Sequence, residues 1–308
     1  MTTSMRKLER VTLTALLGLR FQDVVTGEFV GAGLNVLAYR PGDLAGYPER
    51  QFQLAANYSG VYALHHAAGL LDFERREADD VWRPPLPGKP YVIEVIDMER
   101  RFLPFLLNVE LPARGLYTWI SPAPGSPVGS EAGVPLYSTA ARQVPTGMAV
   151  ARGELEDIVQ NKPASWAVLE IYYNGRLLGR GIADEMGRVA VIFPYPAPRA
   201  SPFTSPIGSP PASSGKPLFS QEWTVELRAY YSPSQISPPQ PVKTELRDLR
   251  AILGQQQANM WDDLAMTTPF AEATLQYGRE LILRSREGAL ASPALPPTQL
   301  SKLFITPA

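Results

Sequence analysis

Near its start the chain places Val11, Leu13, Ala15, Leu17, Leu19 and Phe21 at alternate positions, the period-2 spacing of a strand with one buried face. The same alternation returns in "LNVLAY", in "GVYALH", in "YVIEVI" and again in "WTVELR". Between such runs stand short polar turns, so the pattern predicts many short strands.

Three of these runs come in pairs. "FQDVVTGEFVGAGLNVLAY" (Phe21–Tyr39) aligns with "LEDIVQNKPASWAVLEIYY" (Leu155–Tyr173): in both, an apolar residue and an acid, Asp23 or Asp157, precede a turn and a strand. "NYSGVYAL" aligns with "DEMGRVAV", matching Asn57 to Asp184, Gly60 to Gly187, Tyr62 to Val189 and Leu64 to Val191. "YVIEVI" from Tyr91 aligns with "WTVELR" from Trp223. The three matches keep their order at offsets of 134, 127 and 132 residues, which predicts a tandem repeat of one β-sandwich unit.

The pairing also decides how Asp184 and Glu185 are read. Two neighbouring acids between strands are candidates for general acid and base. A four-residue stretch that opens with Asn or Asp and closes with Gly has, however, the composition of a type I turn. Asn57 and Tyr58 hold the equivalent places in the first unit, so the acids are expected to serve the turn. Asn174-Gly175, between "LEIYY" and "RLLGRGIA", predicts a two-residue hairpin, because both residue types tolerate positive φ.

Composition sets the linkers. "SPAPGSPVGSEAGVPLYS" from Ser121 reads as a connector, and Pro194 to Pro217 as a Pro/Ser insertion that is either a disordered loop or an extended arm docking on a neighbour. After "VELRAYY" the spacing of Leu246, Leu249, Ile252, Leu253 and Met260 predicts a helix from Thr244, a plausible N-cap, to about Trp261. It is expected to pack on its own sandwich rather than to wait for a partner. Ala273–Glu287 reads as a hairpin around Gly278, and "LSKLFITPA" as a last strand or tail. The expected organisation is therefore a first sandwich over 1–120, a linker over 121–142, a second sandwich over 143–235 with the insertion at 194–217, and a C-terminal helix, hairpin and tail over 236–308. The fold class is all-β: two tandem antiparallel β-sandwiches with long Pro/Ser-rich loops and a short C-terminal helix plus hairpin.

The 308 residues suffice for about two domains. With 29 Lys and Arg against 30 Asp and Glu, no net field recruits nucleic acid or an anionic membrane. The chain has no cysteine, which removes disulfides and thiolate sites and suits a reducing compartment. Arg6, Lys7 and Arg10 precede an apolar run, but its alternation and the lack of a small-residue cleavage site read as a strand, so secretion by the general pathway is not expected. No run nears the roughly 20 apolar residues of a membrane-spanning helix.

The search for chemistry returns little. The two histidines, His65 and His66, are adjacent, so on one strand they point to opposite faces and cannot share a metal unless the strand breaks there. "LDFERREADDVW" contains Asp79-Asp80 but not the alternating oxygen ligands of a calcium loop. "VGAGLNV" and "GRGIAD" carry two glycines of a dinucleotide motif without the third or the following helix. No nucleophile elbow or phosphate loop occurs. Trp166, Trp223, Tyr172 and Tyr173 are expected to pack in cores, and Tyr172 and Tyr173 to point oppositely. Hence no catalytic, cofactor-binding or metal residue is expected, and no cofactor.

In "DVVTGEFV", "NYSGVYAL" and "DEMGRVAV" the chain resembles carboxypeptidase regulatory-like, or transthyretin-like, domains, over about 20–110 and 150–230. That resemblance implies seven-stranded sandwiches acting as non-catalytic modules. The second copy lacks the Thr-Gly of the first turn and carries the long insertion. Over the whole chain, "YVIEVIDMERRFLPFLLNVELPARGLY", "GRGIADEMGRVAVIFPYP" and the closing "LFITPA" look like accessory proteins of phage-tail-like contractile injection systems. This second likeness implies a cytoplasmic structural subunit assembled into a particle, at its baseplate or cap, with other protein subunits as partners. The rival expectation is a carbohydrate- or peptide-binding module, and an enzyme comes third.

Overall fold

The structure, a computed structural model, describes residues 14–41, 51–67, 70–74, 88–113, 115–123, 133–197, 220–236, 246–286 and 300–307. Almost all regular structure in it is β. The first half supplies β1 (Leu17–Leu19), β2 (Phe21–Asp23), β3 (Leu34–Tyr39), β4 (Phe52–Gln53), β5 (Ala55–Ala56), β6 (Tyr62–Leu64), β7 (Lys89–Asp97), β8 (Phe105–Leu111) and β9 (Val134–Leu136), with a single turn of helix, α1 (Leu71–Glu74). They form sheets of order β1-β6-β5 and β4-β3-β7-β8, and a parallel pair, β2 with β9. The period-2 run at the N-terminus is split at Arg20: Leu17–Leu19 pairs with β6, whereas Phe21–Asp23 pairs with β9. Val11 and Leu13 lie outside the described residues.

The second half consists of β10 (Met148–Asp157), β11 (Lys162–Pro163), β12 (Val168–Tyr173), β13 (Arg176–Ile182), β14 (Arg188–Pro194), β15 (Glu222–Tyr230), β16 (Gln257–Trp261), β17 (Glu272–Gln276), β18 (Leu281–Leu283) and β19 (Leu303–Thr306). Its ten strands run β11-β10-β19-β16-β15-β12-β13, with β14 and β18 also on β10 and β17 on β15. The layers β14-β10-β18 and β13-β12-β15 enclose a core that includes Leu155, Leu169, Ile171, Val191, Phe193, Trp223 and Ile305. Most pairs are antiparallel, but β10 takes both β18 and β19 in parallel.

Four expectations change. The connector read over 121–142 contains β9, and Val134, Leu136 and Tyr137 are buried in the first core; Val134 and Leu136 flank a proline that composition reads as a linker, yet the segment is a strand once β2 offers an edge. The helix expected from Thr244 to Trp261 is shorter: α2 covers Leu249–Leu253 and ends at Gly254. Ala258 and Met260 then follow period 2 in β16, because an apolar pair spaced by two fits either element and β15 and β19 supply partners. Thr244 lies outside the described residues. Helix α2 packs not on its own sandwich but in the first core, beside β8, with the Leu106 amide donating to the Arg247 carbonyl at 2.9 Å. Finally, β17 and β18 turn at Gly278 without pairing with each other; β17 joins β15 and β18 joins β10, so the expected hairpin is an arch between layers. The closing strand β19 is present and lies between β10 and β16.

The repeat holds at its turns and slips by one residue at a strand. Asn57 Oδ1 accepts the amides of Ser59 and Val61 at 2.9 and 3.0 Å, and Asp184 Oδ1 those of Met186 and Arg188, both at 2.9 Å. Gly60 and Gly187 close the turns, their amides donating to the Asn57 and Asp184 carbonyls at 2.9 Å, with φ of 72° and 77°. Asp23 and Asp157 likewise accept amides two residues on, from Val25 and Val159, at 2.9 Å. In contrast, aligning Tyr39 with Tyr173 would turn Val168, Glu170 and Tyr172 into their own core. Leu169 and Ile171 point there instead, and Val168 joins the first core. A one-residue slip exchanges every side chain between faces. In "VLEIYY" the acid Glu170 marks the parity that alternation would turn away from the core, so the strand's own pattern outweighs the register that the repeat alignment implies.

Both turn glycines have φ in the left-handed region, but only one is also crowded. A Cβ at Gly187 would lie 2.3 Å from the Leu155 carbonyl oxygen, whereas one at Gly60 would meet the Gly31 Cα at 3.2 Å. Gly60→Val is expected to cost about 1–3 kcal/mol through backbone strain, and Gly187→Val measurably more because the clash is with main chain. Urea unfolding of both variants tests this; equal midpoints would refute the ranking.

Candidate functional site

Two of the most deeply buried polar side chains, Glu170 and Gln255, lie where the two halves meet. Glu170 of β12 is fully buried. Its carboxylate accepts the Tyr172 hydroxyl at 2.7 Å and Arg180 Nε at 2.6 Å, Arg180 being delivered by the neighbouring strand β13 at the directly paired position. Burial first, and then the Glu170 carboxylate, push the Tyr172 hydroxyl well above the ordinary phenol value. Around this pair, Trp166, Val168, Ile182 and Tyr230 of the second half join the core of the first, together with Leu249, Ile252 and Leu253 of α2. Gln255, just past α2, fastens the seam: its Nε2 donates to the Trp166 carbonyl at 2.8 Å and its Oε1 accepts the Ser232 amide at 2.8 Å.

A second polar network occupies the segment entering β10. Arg142 grips Asp23 through both amino groups, at 2.9 and 2.5 Å, and reaches Ser138 Oγ at 3.0 Å. Its guanidinium stands 4.8 Å from the Phe102 ring centre, and that of Arg101 5.1 Å from the same ring. Arg101 in turn holds Asp97 through Nε and Nη2, both at 3.1 Å. Burial alone would raise the Asp23 carboxyl, but Arg142 and the Val25 amide outweigh it and hold it below the usual carboxylate value. Asp97 behaves alike, with Arg101 as the main counterweight. Arg152 of β10 donates to the carbonyls of Ala140 and Arg142, so the second half holds the segment that holds Asp23.

Asp184 and Glu185, the acids singled out by sequence, are turn residues. Asp184 is consumed by two amides and by Arg188, whose Nη2 lies 2.8 Å from Oδ2, and the Glu185 carbonyl accepts the Ser165 hydroxyl at 2.6 Å. The turn passes the chain from β13 to β14, and glycine is required there: a Cβ at Gly181 would meet the Ala190 carbonyl oxygen at 2.6 Å. That close crossing is the physical role of the glycines in "GRGIAD". The histidines do meet the exception allowed for them. Strand β6 stops at Leu64, His66 has a φ of 58°, and the rings stand 6.1 Å apart with His65 Nδ1 3.7 Å from Glu74. Even so, no group of three His, Asp or Glu side chains gathers around a metal position among the described residues. Asp79-Asp80 lie outside the described residues.

The aromatics pack inward as expected. Trp223 is buried against Tyr195, at 5.7 Å, and its indole donates to the Ala197 carbonyl at 3.3 Å. Tyr173 packs on the second core and Tyr172 on the opposite face. What sequence reasoning missed was the seam: Glu170, Arg180, Arg142 and Gln255 carry no local motif, and only the lone acid inside an apolar strand, "VLEIYY", could have signalled a buried partner.

No family model and no curated protein matches the chain. Among solved structures it is similar to the shaft pilin SpaA from Lactobacillus rhamnosus GG, at 8% identity and a TM-score of 0.23, over 95% of this chain and 97% of that one. A likeness that loose carries no argument. The β-rich character of the chain rests on its own strands, and the family resemblances in its turns remain proposals.

Two expectations follow. Arg180→Met strands the buried Glu170 charge and is expected to cost about 3–5 kcal/mol in urea unfolding, whereas the double variant Glu170→Leu/Arg180→Met recovers most of that. A double variant as unstable as the single one would refute the pairing. For pH, Asp23 and Asp97 have folded pKa values below the roughly 3.9 of an unfolded aspartate, so they stabilise the fold above that value and lose this as pH falls through their lower folded values. In unfolding midpoints the contribution of these two aspartates should be constant above about pH 5 and lost below about pH 4, so the acid-sensitive part is smaller in Arg142→Met; burial raises the Glu94 and Asp248 carboxyls, whose contribution runs the opposite way.

Proposed function

We propose that this chain is a non-catalytic structural subunit that acts through protein-protein contacts. The observation that supports this most is the fate of its buried carboxylates. Asp23, Glu74, Asp97, Asp157, Glu170 and Asp263 are engaged by backbone amides or by hydroxyl and arginine side chains that hold turns and the seam, and the half-buried Asp184 is held in the same way. A carboxylate held by structural donors is poorly placed to shuttle protons. What the molecule offers outward is different: apolar side chains at turn tips, with Tyr58 fully exposed and Met98, Val159 and Met186 more than half exposed. Exposed apolar side chains on rigid turns suit docking against other proteins. The aromatics among them, Tyr58 and Phe29, sit at a turn and beside β2 rather than in a row along one sheet, which favours this reading over a sugar-binding face.

The assembly we propose is a phage-tail-like contractile injection particle, at the baseplate or cap, with the subunit made in the cytoplasm. The support is the likeness of Tyr91–Tyr117, of the stretch around Asp184 and of "LFITPA" to accessory proteins of such systems. No helix among the described residues is long and apolar enough to cross a membrane.

Particles sedimented from the producing cell are expected to contain this chain; finding no copy would overturn the assignment. The Pro/Ser insertion read over 194–217 begins later than expected, since Pro194 ends β14 and Tyr195 packs on the second core; removal of 198–219, which lies outside the described residues, separates fold from assembly. Ala197 and Trp223 already touch, so closing the gap with a short Gly-Ser link should change monomer stability by about 1 kcal/mol or less. Incorporation into the particle should be lost. A variant that assembles normally would show that the segment is not an arm, and one that unfolds would refute the domain boundaries.

A further inference from the structure

Most sheet edges among the described residues are short or covered. At β8 the Leu106 amide donates to the Arg247 carbonyl at 2.9 Å, and β13 lies so close to β14 that a Cβ at Gly181 would meet the Ala190 carbonyl oxygen at 2.6 Å. Strand β17 is left open, since it pairs with β15 alone. The Tyr277 amide donates to the Gln221 carbonyl at 3.1 Å and the Leu227 amide to the Ala271 carbonyl at 2.8 Å, so in this register the odd-numbered residues of β17 bond to β15. The main-chain groups of Glu272, Thr274 and Gln276 therefore point outward, and their amides have no hydrogen-bond partner among the described residues. Glu272 and Thr274 are exposed. Open edges are commonly blocked by lysine, proline or a bulge; "EATLQ" has neither residue, and its ladder with β15 runs without a shift.

The outward residues also fit a second copy of themselves. In an antiparallel pair about a twofold axis through Thr274, that residue faces its own copy and Glu272 faces Gln276 at both ends. No like charges meet, and on the other face Ala273 lies opposite Leu275, small against large. On its occupied side β17 already makes such pairs: Thr274 lies opposite Thr224, and Gln276 opposite Glu222, to whose carboxylate its Nε2 donates at 2.9 Å. Arg279 Nη1 donates to Gln276 Oε1 at 3.1 Å, which fixes the amide and leaves Nε2 a second N–H. Glu272, by contrast, faces Glu226, which Arg228 holds at 2.7 Å, and no side chain among the described residues neutralises Glu272.

We propose that β17 is a self-association edge: two copies of this chain join β17 to β17, antiparallel and centred on Thr274, so that the layer β13-β12-β15-β17 continues across the twofold. Each pair of opposed outward residues exchanges main-chain bonds, and Glu272 receives the free N–H of Gln276 from the second copy. An edge of five residues is a small interface, so the dimer is reversible in solution and favoured where an assembly holds copies close together. The partner is a second copy of the same chain, so the inference goes beyond the assembly reading and does not depend on it.

The test is sedimentation velocity of the full chain from about 1 to about 300 μM, a range that reaches the weak affinities of small interfaces. Wild type is expected to dimerise increasingly as concentration rises. Thr274→Lys and Thr274→Glu each set like charges face to face on the axis, and each is expected to weaken the dimer at least about tenfold. Mixed in equal amounts the two variants should dimerise again, because lysine then faces glutamate; that rescue marks residue 274 as facing itself. Arg176→Glu, at the far edge of the same layer, should dimerise like wild type. Should one Thr274 variant fail to fold by circular dichroism, the loss in the other decides. A wild type that stays monomeric, Thr274 variants that dimerise like it, a mixture that stays monomeric, or an equal loss in Arg176→Glu would each overturn the proposal.

Discussion

Leu169 and Ile171 point from β12 into one core while Val168, Glu170 and Tyr172 of the same strand point toward the other. One sheet must therefore satisfy two interiors. An antiparallel sheet ordinarily keeps one face for water, and its polar residues alternate accordingly. Where β12 meets the first half that option is closed, so Glu170 needs a partner inside the protein, whereas Thr224, Glu226 and Arg228 of β15 on the same face keep contact with water. Glu170 finds Arg180 across the ladder and Tyr172 two residues along. With those contacts in place, α2 and Gln255 can close over Trp166, and the two halves cease to be separable beads.

The arginines carry most of this burden in the same way. Arg180, Arg142 and Arg101 each present a planar group to a buried carboxylate, and Arg101 and Arg142 also flank one phenylalanine ring. Buried pairs of this kind are weak contributors to net stability, because desolvation offsets much of the attraction. Their effect is on specificity: an alternative packing that separates either partner leaves a charge in a dry interior. This makes the pairs determinants of how the halves sit together rather than of how strongly each folds.

A body built this way presents rigidly supported side chains at its edges. The turns are fixed by Asn57, Asp184, Asp23 and Asp157, so side chains at their tips project from rigid supports and ordering them on contact costs little. The segment that Arg152 holds also forms a wall beside the open part of the β10 layer. Assembly through preformed surfaces is consistent with a subunit that places neighbours rather than transforms a substrate.

Much of the local structure was legible in the chain itself. The turns at Asn57 and Asp184 were set by residue type, since a side-chain acceptor at the first position and glycine at the last are local requirements. The Asn174-Gly175 hairpin and the strand character of "YVIEVI" and "WTVELR" were local in the same sense. What the tertiary structure decided was everything that needed a distant partner. That the Glu170 face of β12 would be covered rather than left to water was undetermined, because its cover comes from the first half; Met260 became strand rather than helix because β15 and β19 were there to receive it; β17 and β18 were claimed by different strands, β15 and β10. Glu170 and Arg180 lie ten residues apart without a motif, and their value comes from a low-dielectric environment that exists only once two cores have closed around one sheet.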